Sequence, residues 1–282
     1  MTVLAFAARM SPRPALGMLI VLGLSWTQQA SGQTSGQDAR RSGFDFMSAA
    51  TQALQRDDSQ NPVMLWVRDG VRRWHEAPTG APVAAPVANA TPAAQSCASC
   101  HGGLESSMSG VAARYPLWDE KLRAPVNLQR RINLCRERHQ GQAALSSEDD
   151  ALLAIEAAIA LQSRGQALSR ADDPRLAPAL ERGAALFSQR LGQLALSCAQ
   201  CHDQHAGGRL GGSPIPQGHP TAYPTYRLQW QAPGSLARRL RGCLTGVRAE
   251  PFAPMSAEMI ELELFLAVRA AGMIHEGPGV RP

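Results

Sequence analysis

Ser96-Cys97-Ala98-Ser99-Cys100-His101 and Ser197-Cys198-Ala199-Gln200-Cys201-His202 are two copies of one motif, C-x-x-C-H. Two thiols three positions apart lie on one helical turn, where each can add to a vinyl group of a haem. The adjacent imidazole then falls under the iron as its proximal ligand. The spacing therefore predicts two covalently attached c-type haems, one on Cys97 and Cys100 with His101 as ligand, the other on Cys198 and Cys201 with His202. A redox pair would need a βαβ pattern around it, and a zinc site a second C-x-x-C nearby. The flanking sequence has neither.

The repetition extends outward from the motifs. Two further cysteines follow them, Cys135 and Cys243. Gly70 precedes the first motif and has Trp74 one helical turn on; Gly183 precedes the second and has Phe187 at the same spacing. Ile155–Leu161 and Leu262–Val268 read as amphipathic helices ending in Gly165 and Gly272. Equivalent features lie roughly 100–115 positions apart, so the chain reads as a tandem duplication of a small helical unit. Each unit runs helix, haem motif, loop with a lone cysteine, terminal helix, the order of a class I cytochrome c. Such a unit has little core of its own, and a covalent haem supplies the apolar centre. The expected fold is mainly α: two tandem class I-like cytochrome c domains with an N-terminal extension. Their expected limits are 33–170 and 171–282, with polar, proline-containing Ser169–Pro178 between them. Phe44–Leu54 reads as a helix in the extension, and the Ala/Pro-rich stretch 77–95 as an insertion.

An ordinary electron carrier places methionine opposite the histidine. Met108, Met255 and Met259 are poorly spaced for that role, and none recurs in both units. Cys135 and Cys243 do recur, which favours thiolate ligands; a mutual disulfide and a pair of inert thiols remain the alternatives. His139, His205 and His219 are alternative distal ligands, since imidazole also binds iron, but His205 is too close to His202 to reach the opposite face and His219 lies in a Gly/Pro-rich loop; His75 and His275 carry no motif. A plain dihaem electron carrier and a dihaem peroxidase stay open at this point. In the run Ser235-Leu236-Ala237-Arg238-Arg239-Leu240-Arg241-Gly242-Cys243, helical spacing places Arg239 on the face of Cys243 and sends Arg238 and Arg241 elsewhere. A guanidinium there would lower the thiol pKa and bind a small anion in a forked geometry.

The chain has 282 residues, 44% hydrophobic and 18% charged, which excludes a disordered protein. Its net charge is +5, and Lys121 is the only lysine among 28 basic residues. No basic block or aromatic-basic stripe points to nucleic acid. Arg9 and Arg13, the apolar stretch Ala15–Trp26 and small residues at Ala30-Ser31-Gly32 form a secretory signal, 1–32, cleaved near Gly32. The apolar part is too short to span a bilayer. Export implies the periplasm.

DDSQNPVMLWVRDG, SCASCHGG, PVNLQRRINLCRERHQ, LGQLALSCAQCHDQHAGGRLGG, IPQGHPTAYPTYRLQWQ and SLARRLRGCLTGVRAEPF together resemble the SoxA family, in its dihaem form. These are the catalytic cytochrome subunits of SoxAX complexes. The resemblance implies L-cysteine S-thiosulfotransferase activity, the oxidative joining of thiosulfate to a cysteine of the SoxY carrier in SoxYZ. Two electrons would pass to an acceptor cytochrome c. It implies that Cys243 is the active cysteine, carried as a persulfide, and the axial ligand opposite His202. Cys135 would be the axial ligand opposite His101, and Arg239 would bind substrate. A monohaem SoxX-like cytochrome would complete a heterodimer.

Overall fold

The computed structural model describes residues 39–79 and 95–282. The predicted secretory signal and most of the Ala/Pro-rich stretch lie outside the described residues. Helices α1 (Ala49–Arg56) and α2 (Met64–His75) lead to α3 (Cys97–His101) and the single turn α4 (Leu104–Ser107). A short hairpin, β1 (Leu117–Asp119) and β2 (Ala124–Val126), precedes α5 (Leu128–His139) and α6 (Asp150–Leu161). The pattern then repeats. Helix α7 (Ala177–Ser188) leads through the second motif to the exposed hairpin β3 (Arg209–Leu210) and β4 (Ser213–Pro214). After that come β5 (Thr225–Arg227), β6 (Ala232–Gly234), α8 (Leu236–Gly246), α9 (Ala257–Arg269) and the last strand β7 (Gly279–Arg281). The fold is mainly α, as expected.

The expected helix over Phe44–Leu54 is two elements. Ser42 caps a 3-10 turn at Gly43–Phe46, and Ser48 caps α1 by accepting from Thr51 N–H. An extended residue at Met47 separates them, because each serine offers the backbone a fresh N-cap. The prolines of Ser169–Pro178 start structure rather than interrupt it. Pro174 opens a 3-10 turn and Pro178 lies in the first turn of α7, where a missing N–H costs nothing.

In each half the first and last helices cross where the sequence places a glycine. A Cβ on Gly70 would lie 2.0 Å from the Ala154 carbonyl oxygen of α6, and one on Gly183 2.1 Å from that of Glu261 in α9. Only glycine permits that approach. The aromatic one turn on from each, Trp74 and Phe187, is then buried at the same crossing. Trp74 packs with Leu128, Ile132, Leu152 and Ile155, while Phe187 packs with Leu262 and Leu266.

The terminal helices were expected to be amphipathic. Instead α6 is buried from Leu152 to Ile155 and from Ala157 to Ala160, and α9 from Met259 to Leu264. Both are covered on a second side because the halves meet there. Gly165 N–H donates to His275 C=O and Gly272 N–H to Leu168 C=O, both at 2.9 Å, a reciprocal exchange that relates the two chain ends by a local twofold. Glu156 of α6 and Glu263 of α9 line a cavity of about 90 Å³ at this junction, with Asn127, Gln129, Ser235 and His275 also on its wall. Asn127 donates to Glu263 (2.8 Å) and Gln129 to Glu156 (2.7 Å).

Burial raises the Glu156 carboxyl to about 8 despite the Gln129 hydrogen bond, and raises Glu263 to about 7. Unfolded, both would titrate at 4.5. The folded state therefore holds protons that the unfolded chain has lost. This stabilisation is complete below about pH 4.5 and disappears as pH rises through about 8. Glu156→Gln is expected to flatten the loss of thermal stability between pH 5 and pH 8, a difference of about 3 kcal/mol at pH 8. Thermal melts at the two pH values test it; equal slopes for variant and wild type would refute it.

Candidate functional site

The second half holds a cavity of about 250 Å³ between α7, α8, α9 and the three-stranded sheet β6–β5–β7. Cys198, His202, Arg239 and Cys243 all face it, and Phe187, Leu240, Leu262 and Leu266 supply apolar wall. Ser235 caps α8 by accepting from Arg238 N–H, which sets the helical phase of everything after it. Arg239 and Cys243, four residues apart, then share one face. Their neighbours turn away, as the spacing predicted. The Arg238 guanidinium stacks 4.2 Å from the Trp230 ring centre, and Arg241 Nη1 donates to Phe252 C=O at 2.6 Å.

His202 lies in a π-helical turn, Gln200–Gln204, whereas the first motif is an ordinary helical turn. Its Nδ1 bonds Pro216 C=O at 2.7 Å. A ring that donates through Nδ1 keeps Nε2 unprotonated and in a fixed direction, the arrangement a metal-binding imidazole needs. His202 is in hydrogen-bond contact with the Cys243 thiol. Burial opposes ionisation of Cys243, but the His202 hydrogen bond and the charges of Arg239, His202 and Arg227 outweigh it and hold this thiol below its usual range. Cys198 is pushed up to about 11 by burial and by the nearby Cys243. A pair of free thiols, an imidazole oriented through its far nitrogen and an apolar wall make a donor set that fits a covalently attached haem.

In the first half the structure brings Cys135 beside Cys97 and Cys100. Cys100 Sγ donates to Gln95 Oε1 at 3.3 Å. His101 is exposed, its ring centre 5.7 Å from that of Trp74, whose Nε1 donates to Gly102 C=O at 2.9 Å. Burial pushes the Cys135 thiol up, opposite to Cys243, although Arg131 and Arg138 are near. All six cysteines are free, with Cys135 and Cys243 each among the thiols of its own half. Met108 lies in the first half's core and Met255 packs against the same cluster. Of the histidines without a motif, His219 lines the second cavity and His275 is buried at the junction, where burial lowers it to about 4.

A profile of the SoxA/TsdA cytochrome c domain matches residues 87–168 and 182–274. The SoxA subunit of L-cysteine S-thiosulfotransferase from Rhodovulum sulfidophilum is 34% identical over 244 residues, covering 86% of this chain and 81% of the relative. The chain belongs to the SoxA family. The family's subunit from Paracoccus pantotrophus is 35% identical over 86% of this chain and 80% of its own length. A crystal structure of SoxXA from P. pantotrophus matches with a TM-score of 0.78 at 34% identity, over 86% of this chain and 87% of that one. A cytochrome c domain implies covalent c-type haem, and sulfur oxidation is the chemistry of the family.

Two further charged residues line the cavity that no sequence motif marks, Arg227 of β5 and Arg281 of β7. The signal for Arg227 was available. Arg131 and Cys135 precede Arg239 and Cys243 by 108 positions, and at that offset the hairpins before them also align.

Proposed function

We propose that this chain is the catalytic subunit of an L-cysteine S-thiosulfotransferase, and that Cys243 carries the chemistry. The observation that carries the reading is one cavity shared by Cys243, Arg239 and His202 in a member of the SoxA family. Cys198 and Cys201 would hold one haem, with His202 and Cys243 as the side chains offered to its iron; Cys97 and Cys100 would hold a second, with His101 and Cys135 in those roles. Among the described residues no helix is long and apolar enough to cross a membrane. The predicted secretory signal supports a periplasmic protein, and the SoxXA likeness supports a heterodimer with a SoxX-type monohaem cytochrome.

Thiosulfate is a dianion, and Arg239 offers it forked donors beside the sulfur of Cys243. The charges of Arg239 and Arg227 favour the thiolate form of that sulfur. Its sulfur, or the outer sulfur of a persulfide on it, bonds to the sulfane sulfur of thiosulfate with loss of two electrons, leaving a thiosulfonate on Cys243. A haem held here would supply the acceptor for these two electrons, with a cytochrome c as the final oxidant. A thiolate of the SoxY carrier then attacks the sulfane sulfur. It takes the thiosulfonate and releases Cys243 in its starting form, as thiolate or as persulfide anion, and the carrier thiol's proton goes to solvent.

Electron paramagnetic resonance of the oxidised holoprotein tests the ligand set. Low-spin ferric signals of thiolate-ligated haem are expected; a thioether signature would support a plain electron carrier and refute the reading. Mass spectrometry should find two covalent haems, and one in the double variant Cys97→Ala/Cys100→Ala. An unchanged haem mass in that variant would remove the first site.

A further inference from the structure

The two halves place the same hairpin and helix before their lone cysteines, residue for residue. Leu117 pairs with Val126 and Asp119 with Ala124 in the first; Thr225 pairs with Gly234 and Arg227 with Ala232 in the second. The turns carry Arg123 and Gln231, both at φ 51°. Asn127 and Ser235 cap α5 and α8. Every pair is separated by 108 positions, so Asp119 and Arg227 occupy one site, Arg131 and Arg239 another, and Arg138 and Gly246 a third.

The charges at these sites differ. In the first half Asp119, 3% exposed, binds Arg131 (2.8 Å) and Arg138 (3.2 Å). The arginine beside Cys135 is thereby neutralised by protein. In the second half the carboxylate has become a cation, and its other partner is glycine. Among the described residues neither Arg227 nor Arg239 has an ion-pair partner, while Arg281 on the same wall is matched by Glu276 at 2.6 Å. The Arg227 guanidinium lies 5.3 Å from the Trp230 ring centre, and its buried Nε has no hydrogen-bond partner. Two cations held in one cavity beside a thiol repel each other unless an anion lies between them.

We infer that Arg227 is the second arm of an oxoanion clamp with Arg239, and that exchanging an acid for a base at this strand position is what separates the anion-binding half from the neutralised half. The clamp takes a compact tetrahedral dianion through the paired N–H groups of two guanidinia, and leaves the remaining corner of the anion toward Cys243. This rests on the reading of thiosulfate as the substrate.

The holoprotein complex and the variants Arg227→Gln, Arg227→Lys and Arg227→Asp test it. The measurements are haem content, kcat and KM for thiosulfate with saturating carrier, and calorimetric titration with thiosulfate and, in parallel, sulfate. Sulfate has the shape and charge of the substrate but no sulfane sulfur, so the clamp is read even if thiosulfate is not turned over. That last outcome, in the wild type, would reject the proposed activity and leave the clamp standing. Arg227→Gln is expected to raise the KM and both dissociation constants by about 10–100-fold, with kcat within about threefold. Arg227→Lys should fall between, and Arg227→Asp, which rebuilds the first half's pairing, should abolish binding. Affinities within twofold of wild type in Arg227→Gln overturn the inference. So does loss of haem from Arg227→Gln when Arg227→Lys keeps both haem and affinity, because the guanidinium then serves the prosthetic group's carboxylates.

Discussion

Cys243→Ser is expected to lose at least about 1000-fold in thiosulfate transfer while keeping its full complement of covalent haem. The two effects separate because the C-x-x-C-H motif assigns attachment to Cys198 and Cys201, whereas Cys243 comes from a different element, α8. A serine hydroxyl is nearly isosteric but cannot form the sulfur–sulfur bond that the transfer needs. The His202 contact and the charges of Arg239 and Arg227 that lower the thiol pKa remain in place, so they cannot account for the loss. Cys135→Ser should alter the spectrum of the first haem and keep turnover within about tenfold, since Asp119 already neutralises the arginine beside Cys135. Steady-state transfer to the SoxY carrier, with haem counted per chain, checks both. A Cys243→Ser protein with more than a tenth of wild-type turnover would end the proposed mechanism. A Cys135→Ser protein as dead as Cys243→Ser would show that the halves are not specialised in the way the charges indicate.

Gly183→Val should produce the largest loss of stability of any single change on α7, about 3–5 kcal/mol. Its first added carbon would fall 2.1 Å from the Glu261 carbonyl oxygen and 3.0 Å from Cβ of Phe265. Backbone cannot step aside as a flexible side chain can, so α7 and α9 must separate. Phe187, Leu262 and Leu266 then lose their packing, and the apolar wall of the second cavity goes with them. Lower yield of holoprotein and a thermal midpoint depressed by several degrees are expected. Gly246→Ala is the control, because a methyl group there meets nothing within 4 Å and should change stability by less than about 0.5 kcal/mol. Equal midpoints for the two variants would mean that the crossing is not as close as the geometry shows.

The repeat, the mainly α fold and the recurring glycine–aromatic pair were legible because each rests on short local patterns; that the glycines sit at helix crossings was not. A glycine with an aromatic one turn later, or C-x-x-C-H, needs no knowledge of the rest of the chain. The position of Arg239 on the face of Cys243 was legible for the same reason, since both lie on one helix. The near-total burial of α6 and α9 was not. It depends on a second surface, the junction between halves, that no periodicity within either helix reports. The break at Met47–Ser48 was lost because serine caps compete with a continuous apolar pattern.

From the sequence alone come the two C-x-x-C-H motifs, the repeat and the family resemblance, all of them properties of residue order. Tertiary structure decides which charges survive. Asp119 cancels Arg131 and Arg227 reinforces Arg239 only because a two-stranded hairpin folds back against the helix that follows it. Electrostatic energy depends on distance through space, and the hairpin brings residues twelve positions apart in the chain to within hydrogen-bonding reach in the first half.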